Sequence, residues 1–271
     1  MHGALIKNIG AEDQIIVRGM APGAPVRHKL LGWRHPILLG IVSPMAINVT
    51  LYGSKLQYDP LKDFSPVSLI TKVPQILSVH PSVAATSIKE LIALAKEPKS
   101  SLNYGSAGSG TTGHLVAELL KKRADIRVTH IPFRGSGPAV TATLAGEVEM
   151  MFSGPPAVIA LSKAGRLRPL ANSGTKRSPV LPDVPTFIES GLPIDVTSWY
   201  CLVVPVGTPK KVVERLHLAI VESLKSPQVS ETLLKMGAPP ESSTPAELHV
   251  FLQVEIKKFA EVIAIAGAKI D

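Results

Sequence analysis

Residues 101–123 read SLNYGSAGSGTTGHLVAELLKKR, and this stretch decides the fold class. It opens with a short apolar strand, Ser101–Tyr104. Gly105, Gly108, Gly110 and Gly113 follow, spaced among small hydroxyl residues. Then comes an amphipathic segment that places Leu115, Val116, Leu119 and Leu120 on one face and ends in Lys and Arg, which suits the negative end of a helix. Strand, glycine loop and helix form the βα unit of an α/β protein.

The same alternation extends outward. Strand candidates are Ile37–Val42, Val67–Thr71, Gln75–His80, Val128–Pro132, Val148–Phe152, Arg168–Asn172 and Trp199–Val204. Helical periods fill Ser87–Glu97, Thr208–Ser226 and Thr244–Gly267, with Ser87 and Glu90 spaced as a capping box. The alternation predicts a mostly parallel sheet. Pro36–Ser54 is uncharged and nearly long enough to span a bilayer. Pro36, Pro44, Asn48 and two glycines break it, so a buried strand, a turn and a short helix fit better.

Composition narrows the function. The chain of 271 residues is 45% hydrophobic, enough for one large domain or two lobes. A net charge of +8 favours anionic partners, but the basic residues are scattered and aromatics are only 4%, so no nucleic acid is expected. Cys201, the single cysteine, sits in an apolar strand and reads as a buried, inert thiol. Neither a G-x-S-x-G nucleophile turn nor a metal-spaced histidine pair is present. No cofactor, no metal and no enzymatic activity are expected.

The glycine loop suits an anion. Backbone N–H groups point outward at the helix start, the helix dipole favours negative charge, and glycine lets a ligand approach closely. Ser106, Ser109, Thr111 and Thr112 add hydroxyls. A plain tight turn with a Ser/Thr cap explains the same residues, and both readings stay open. His114, on the first helical turn, either faces a ligand or closes the loop by a hydrogen bond; His130, within a strand, reads as structural. Gly108–Gly113 also fits G-x-G-x-x-G, and Arg134 follows the next strand. That pattern permits an NADP-linked oxidoreductase, although no acidic residue ends the strand.

Five longer segments carry a resemblance: SPMAINVTLYGSKLQYDPLKDFSPVSLI, LNYGSAGSGTTGHLVAELL, HIPFRGSGPAVTATLAGEVEMMF, KRSPVLPDVPTFIESGLP and SWYCLVVPVGTPKKVVERL. In order and spacing they resemble the Bug-type (TctC-like) substrate-binding proteins of tripartite tricarboxylate transporters. The resemblance implies an α/β, two-lobed periplasmic-binding-protein-like (type II) fold with a ligand cleft. Lobe one would combine 1–75 and 198–271, and lobe two 76–197. It implies a monomeric periplasmic protein that takes a small carboxylate and hands it to membrane subunits of a transporter. By position, Ser106, Ala107, Gly110, Thr111, Thr112 and His114 form the implied carboxylate clasp of lobe two, Phe133 and Gly135 would line the cleft, and Ser43 matches a lobe-one loop near the ligand. Ser153 stands where the family commonly has aspartate. An uncharged side chain there would not attract an amino group, which favours simple carboxylates over amino acids.

The front of the chain departs from the family. NIGAE resembles a later family segment, so the chain reads as starting two elements late, without an export signal, first strand or first clasping loop. A non-binding truncated remnant is therefore a further reading, with an unpaired sheet edge and reduced stability as its expected marks.

Overall fold

The computed structural model describes residues 37–268. The expected late start and missing first strand fall on the leading residues and lie outside that range. The chain divides into two compact units. Unit one holds residues 37–72 and Trp199–Glu261; unit two holds Val73–Ser198 and residues 262–268.

In chain order, β1 (Leu38–Ile41) leads through a π-helical turn, Ser43–Ile47, into α1 (Asn48–Tyr52) and β2 (Phe64–Pro74). Then follow β3 (Ile76–Val79), α2 (Ile88–Ala95), β4 (Asn103–Ser106), α3 (Thr112–Ala124), β5 (Thr129–Pro132) and α4 (Ser136–Ala145). The chain continues with β6 (Met150–Ser153), α5 (Pro155–Lys163) and β7 (Arg168–Asn172). It ends with β8 (Thr197–Pro205), α6 (Lys210–Lys225), α7 (Pro227–Lys235) and α8 (Pro245–Ala266). All the strands read from the apolar runs are present, shifted by a residue or two at their ends except β2, which extends three residues beyond the expected Val67–Thr71 on each side. Among the described residues no helix is long and apolar enough to cross a membrane.

Unit two is built on a five-stranded sheet of order β5-β4-β6-β3-β7. β4 runs parallel to β5 and β6, as a βα crossover requires. β3 runs antiparallel to both β6 and β7, which corrects the expectation of a mostly parallel sheet. β3 enters directly from β2, with Gln75 alone between them, so no crossover helix obliges it to run parallel. Ile76, Met151, Val158, Leu167, Leu181 and Val184 form a buried cluster that fixes α5 to this sheet. α2 carries the expected cap: the Ser87 hydroxyl accepts from Glu90 N–H at 3.2 Å. The Glu90 carboxylate reaches back to the Thr86 N–H and hydroxyl at 2.6 and 2.8 Å.

Unit one has a three-stranded sheet of order β1-β8-β2, with β1 antiparallel to β8. Gly40 of β1 is pressed against Cys201 of β8; a Cβ there would lie 2.7 Å from the cysteine sulfur. The thiol is buried, and burial pushes its pKa up to about 12. α8 begins with a second capping box, Thr244 with Glu247, at 2.8 to 3.2 Å. Further along, α8 brings Glu255 to Trp199, whose indole N–H donates to the carboxylate at 2.7 Å in a buried setting.

Candidate functional site

The loop between β4 and α3 is tied together by its own side chains. The Ser106 hydroxyl is fully buried, accepts from Gly108 N–H at 3.1 Å and meets His130 Nε2 at 2.7 Å. The Thr111 hydroxyl donates to the Gly108 carbonyl at 2.7 Å. Gly110 N–H donates to His114 Nδ1 at 3.1 Å. His114 thus closes the loop, and its Nδ1 carries no proton in this arrangement. Its ring stacks on His130 at 4.3 Å, and His130 stacks in turn on Tyr104 at 4.7 Å. The Tyr104 hydroxyl donates to Glu118 at 2.6 Å, and Lys121 neutralises that carboxylate at 2.8 Å. Burial, with Glu118 accepting its proton, holds the phenol well above the usual tyrosine range. The loop is therefore backed by a continuous stack of three rings, His114, His130 and Tyr104.

Two glycine requirements explain the spacing. Gly108 and Gly110 have φ of +130° and +76°, backbone conformations that side chains resist. Gly113 is helical but faces β6: a Cβ would sit 2.9 Å from the Phe152 carbonyl oxygen. The loop can turn this sharply and then lay α3 against the sheet because those positions are bare.

The turn after β5 is stitched to the loop. Phe133 N–H donates to Ser106 O and Gly135 N–H to Ala107 O, both at 3.1 Å. The Phe133 ring packs over Gly105. Ser153 ends β6 directly after Phe152, and its hydroxyl is buried without a hydrogen-bond partner. The structure therefore brings Ser106, Ala107, Gly110, Thr111, Thr112, His114, Phe133 and Gly135 into one cluster, with Ser153 on the adjoining strand. Ser43 lies in unit one, half-buried at the start of the π-helical turn, where Asn48 N–H returns to its carbonyl.

Within the cluster the side chains divide by task. Ser106, Thr111 and His114 hold the loop. Thr112 is different: its hydroxyl accepts from Ser198 at 3.0 Å, and Ser198 accepts from the Gln75 amide at 3.1 Å. Gln75 and Ser198 carry no local sequence pattern, which is why no motif points to them. Chemically, the first turn of α3 offers main-chain N–H groups that helix geometry leaves without intrahelical acceptors, at the positive end of a 13-residue helix. Among the described residues, no group of three or more His, Cys, Asp or Glu is placed to hold a metal ion.

Two α/β units with such a loop at a helix start are what a two-lobed periplasmic-binding-protein fold contains, and solved structures place the chain in that class. A structure of a periplasmic transporter superposes over 100% of this chain and 84% of its own, with a TM-score of 0.81 at 30% identity. The family profile for the tripartite tricarboxylate transporter family receptor, TctC, matches residues 37–267, and the chain belongs to that family. Protein BugT of Bordetella pertussis is 35% identical over 84% of this chain and 70% of its own length. An R. palustris protein determined with adipate is 30% identical, covers 99% of this chain and 83% of its own, and has a TM-score of 0.81. MatC from Rhodopseudomonas palustris, with bound malate, is 30% identical over 84% of this chain and 79% of its own, with a TM-score of 0.75.

Proposed function

We propose that this protein is a periplasmic receptor that captures a small carboxylate on the β4–α3 loop and delivers it to the membrane subunits of a tripartite tricarboxylate-type transporter. The observation that carries the reading is the glycine-rich loop at the start of α3, where first-turn N–H groups have no intrahelical acceptors and the Thr112 hydroxyl stands beside them. Such a site stabilises negative charge through backbone dipoles, without a salt bridge. The family of receptors and the adipate and malate relatives support the ligand class. The unpartnered Ser153 hydroxyl supports a ligand with a further polar atom and, being uncharged, favours plain acids over amino acids.

A thermal-shift screen against mono-, di- and tricarboxylates, beginning with malate and adipate, tests this. Ligand at 100 times its Kd stabilises the native state by about 2.7 kcal/mol, roughly 5–10 °C in a chain of this size. A cooperative melt that no acid raises would overturn the receptor reading. Aspartate binding much tighter than succinate, its des-amino analogue, would overturn the role given to Ser153.

A further inference from the structure

The hydroxyl of Thr112 has a direction, and that direction is set from elsewhere. Gln75 is buried, and its main chain is clamped both ways by Ser173. Gln75 N–H donates to the Ser173 hydroxyl, and Ser173 N–H donates to the Gln75 carbonyl, each at 2.9 Å. The same Ser173 carbonyl accepts Val196 N–H at 3.0 Å, which anchors the strand that carries Ser198. Gln75 Oε1 lies against the first turn of α3, within 3.3 Å of where a Gly113 Cβ would be. That turn is the positive end of the helix, so the amide oxygen faces it and the amide N–H₂ is left for Ser198.

The protons then run one way. Gln75 Nε2 donates to Ser198 Oγ at 3.1 Å, and Ser198 Oγ donates to Thr112 Oγ1 at 3.0 Å. Thr112 is the receiving end, and its own proton has no acceptor among the described residues. Each bond in such a chain polarises the next.

We infer that Gln75 and Ser198 are positioning residues that orient the Thr112 hydroxyl and leave its proton free to donate to a ligand acceptor at the start of α3. This rests on the carboxylate reading above and deepens it. A carboxylate oxygen meets a hydroxyl whose proton is not used within the protein relay. The relay lies within unit two, and its members come from three distant places in the chain: the β2–β3 junction, α3 and the start of β8.

Two measurements test it. The first needs no ligand: the Thr112 methyl resonance and its couplings report the side-chain rotamer by NMR. Ser198→Ala and Gln75→Ala should release Thr112 into rotamer averaging, while Ser198→Thr, which keeps the hydroxyl, should not. An unchanged Thr112 signal in Ser198→Ala overturns the relay. The second is calorimetric titration with malate and adipate. Ser198→Ala should weaken binding roughly 5- to 10-fold, as loss of one oriented hydrogen bond would. In Thr112→Val the further Ser198→Ala change should cost nothing, because the hydroxyl it orients is gone. Additive losses in the double variant overturn the positioning role. If the wild-type protein binds neither acid but Thr112 still responds to Ser198→Ala, the relay stands and the carboxylate reading falls.

Discussion

Replacing Gly113 with alanine tests how the glycine loop is mounted on the sheet. The new Cβ would lie 2.9 Å from the Phe152 carbonyl oxygen, 3.3 Å from Phe152 Cβ and 3.3 Å from Gln75 Oε1. The carbonyl belongs to β6, which is paired on one side with β4 and on the other with β3, so it cannot retreat. Relief has to come from α3 lifting off the sheet, and overpacking of this kind costs about 1–3 kcal/mol. Alanine returns up to about 1 kcal/mol through helix propensity. The net loss is about 0–2 kcal/mol, a fall in Tm of up to about 8 °C at this chain length, and about 1–3 kcal/mol relative to a glycine that takes only the propensity gain. Gly137, on α4, has nothing within 4 Å of its missing Cβ and serves as the control. Calorimetry should show Gly137→Ala at or slightly above the wild-type Tm and Gly113→Ala clearly below Gly137→Ala. A Gly113→Ala protein that melts with Gly137→Ala would refute the claim that this glycine exists for close packing of α3.

Three other outcomes are expected. His114→Asn, whose Oδ1 can stand in for Nδ1, should keep the Gly110 amide protected from hydrogen exchange, while His114→Leu should speed that exchange roughly 5- to 10-fold. Trp199→Phe should destabilise unit one by about 1–3 kcal/mol, since it leaves the buried Glu255 carboxylate without its indole donor; adding Glu255→Met should recover part of the loss in urea unfolding. Glu90, Glu189 and Glu247 are held below the usual carboxylate range, first of all by the N–H groups of Thr86, Thr186 and Thr244. Their folded pKa values lie below the unfolded ones, so their contribution is fully present above about pH 4.3 and is lost as pH falls through the folded values. The triple glutamine variant should therefore lose less Tm than the wild type between about pH 5 and pH 3; an unchanged acid slope would sink that assignment.

What could be read from the chain followed physical locality. The eight strands announced themselves as apolar runs, and α2, α3, α6 and α8 as amphipathic periods with caps or basic ends. α4 and α5 did not, because SGPAVTATLA and PPAVIALSK carry small residues or a proline pair that blur the period; α7 hides behind Ser226–Pro227. The direction of β3 was invisible for a different reason: a buried strand has the same apolar run whether its neighbours run with it or against it. At the site, the loop was legible because glycine, hydroxyls and a helix start are contiguous. Which hydroxyls hold the loop and which one joins the relay from Gln75 was not, since that depends on partners at 75, 130 and 198 that only the fold assembles.

One feature of α8 bears on how the protein could be taken apart. The helix is a single run of 22 residues, about 33 Å long at 1.5 Å per residue, yet its body counts with unit one and its end, from Val262, with unit two. Val262, Ile263 and Ala266 are buried. A fragment cut at the two earlier crossings, 73–198, would therefore lack buried side chains that unit two draws from the end of α8. Unit two thus closes its packing only when the end of α8 is in place, and the isolated 73–198 fragment should unfold at a lower urea concentration than unit two within the whole chain.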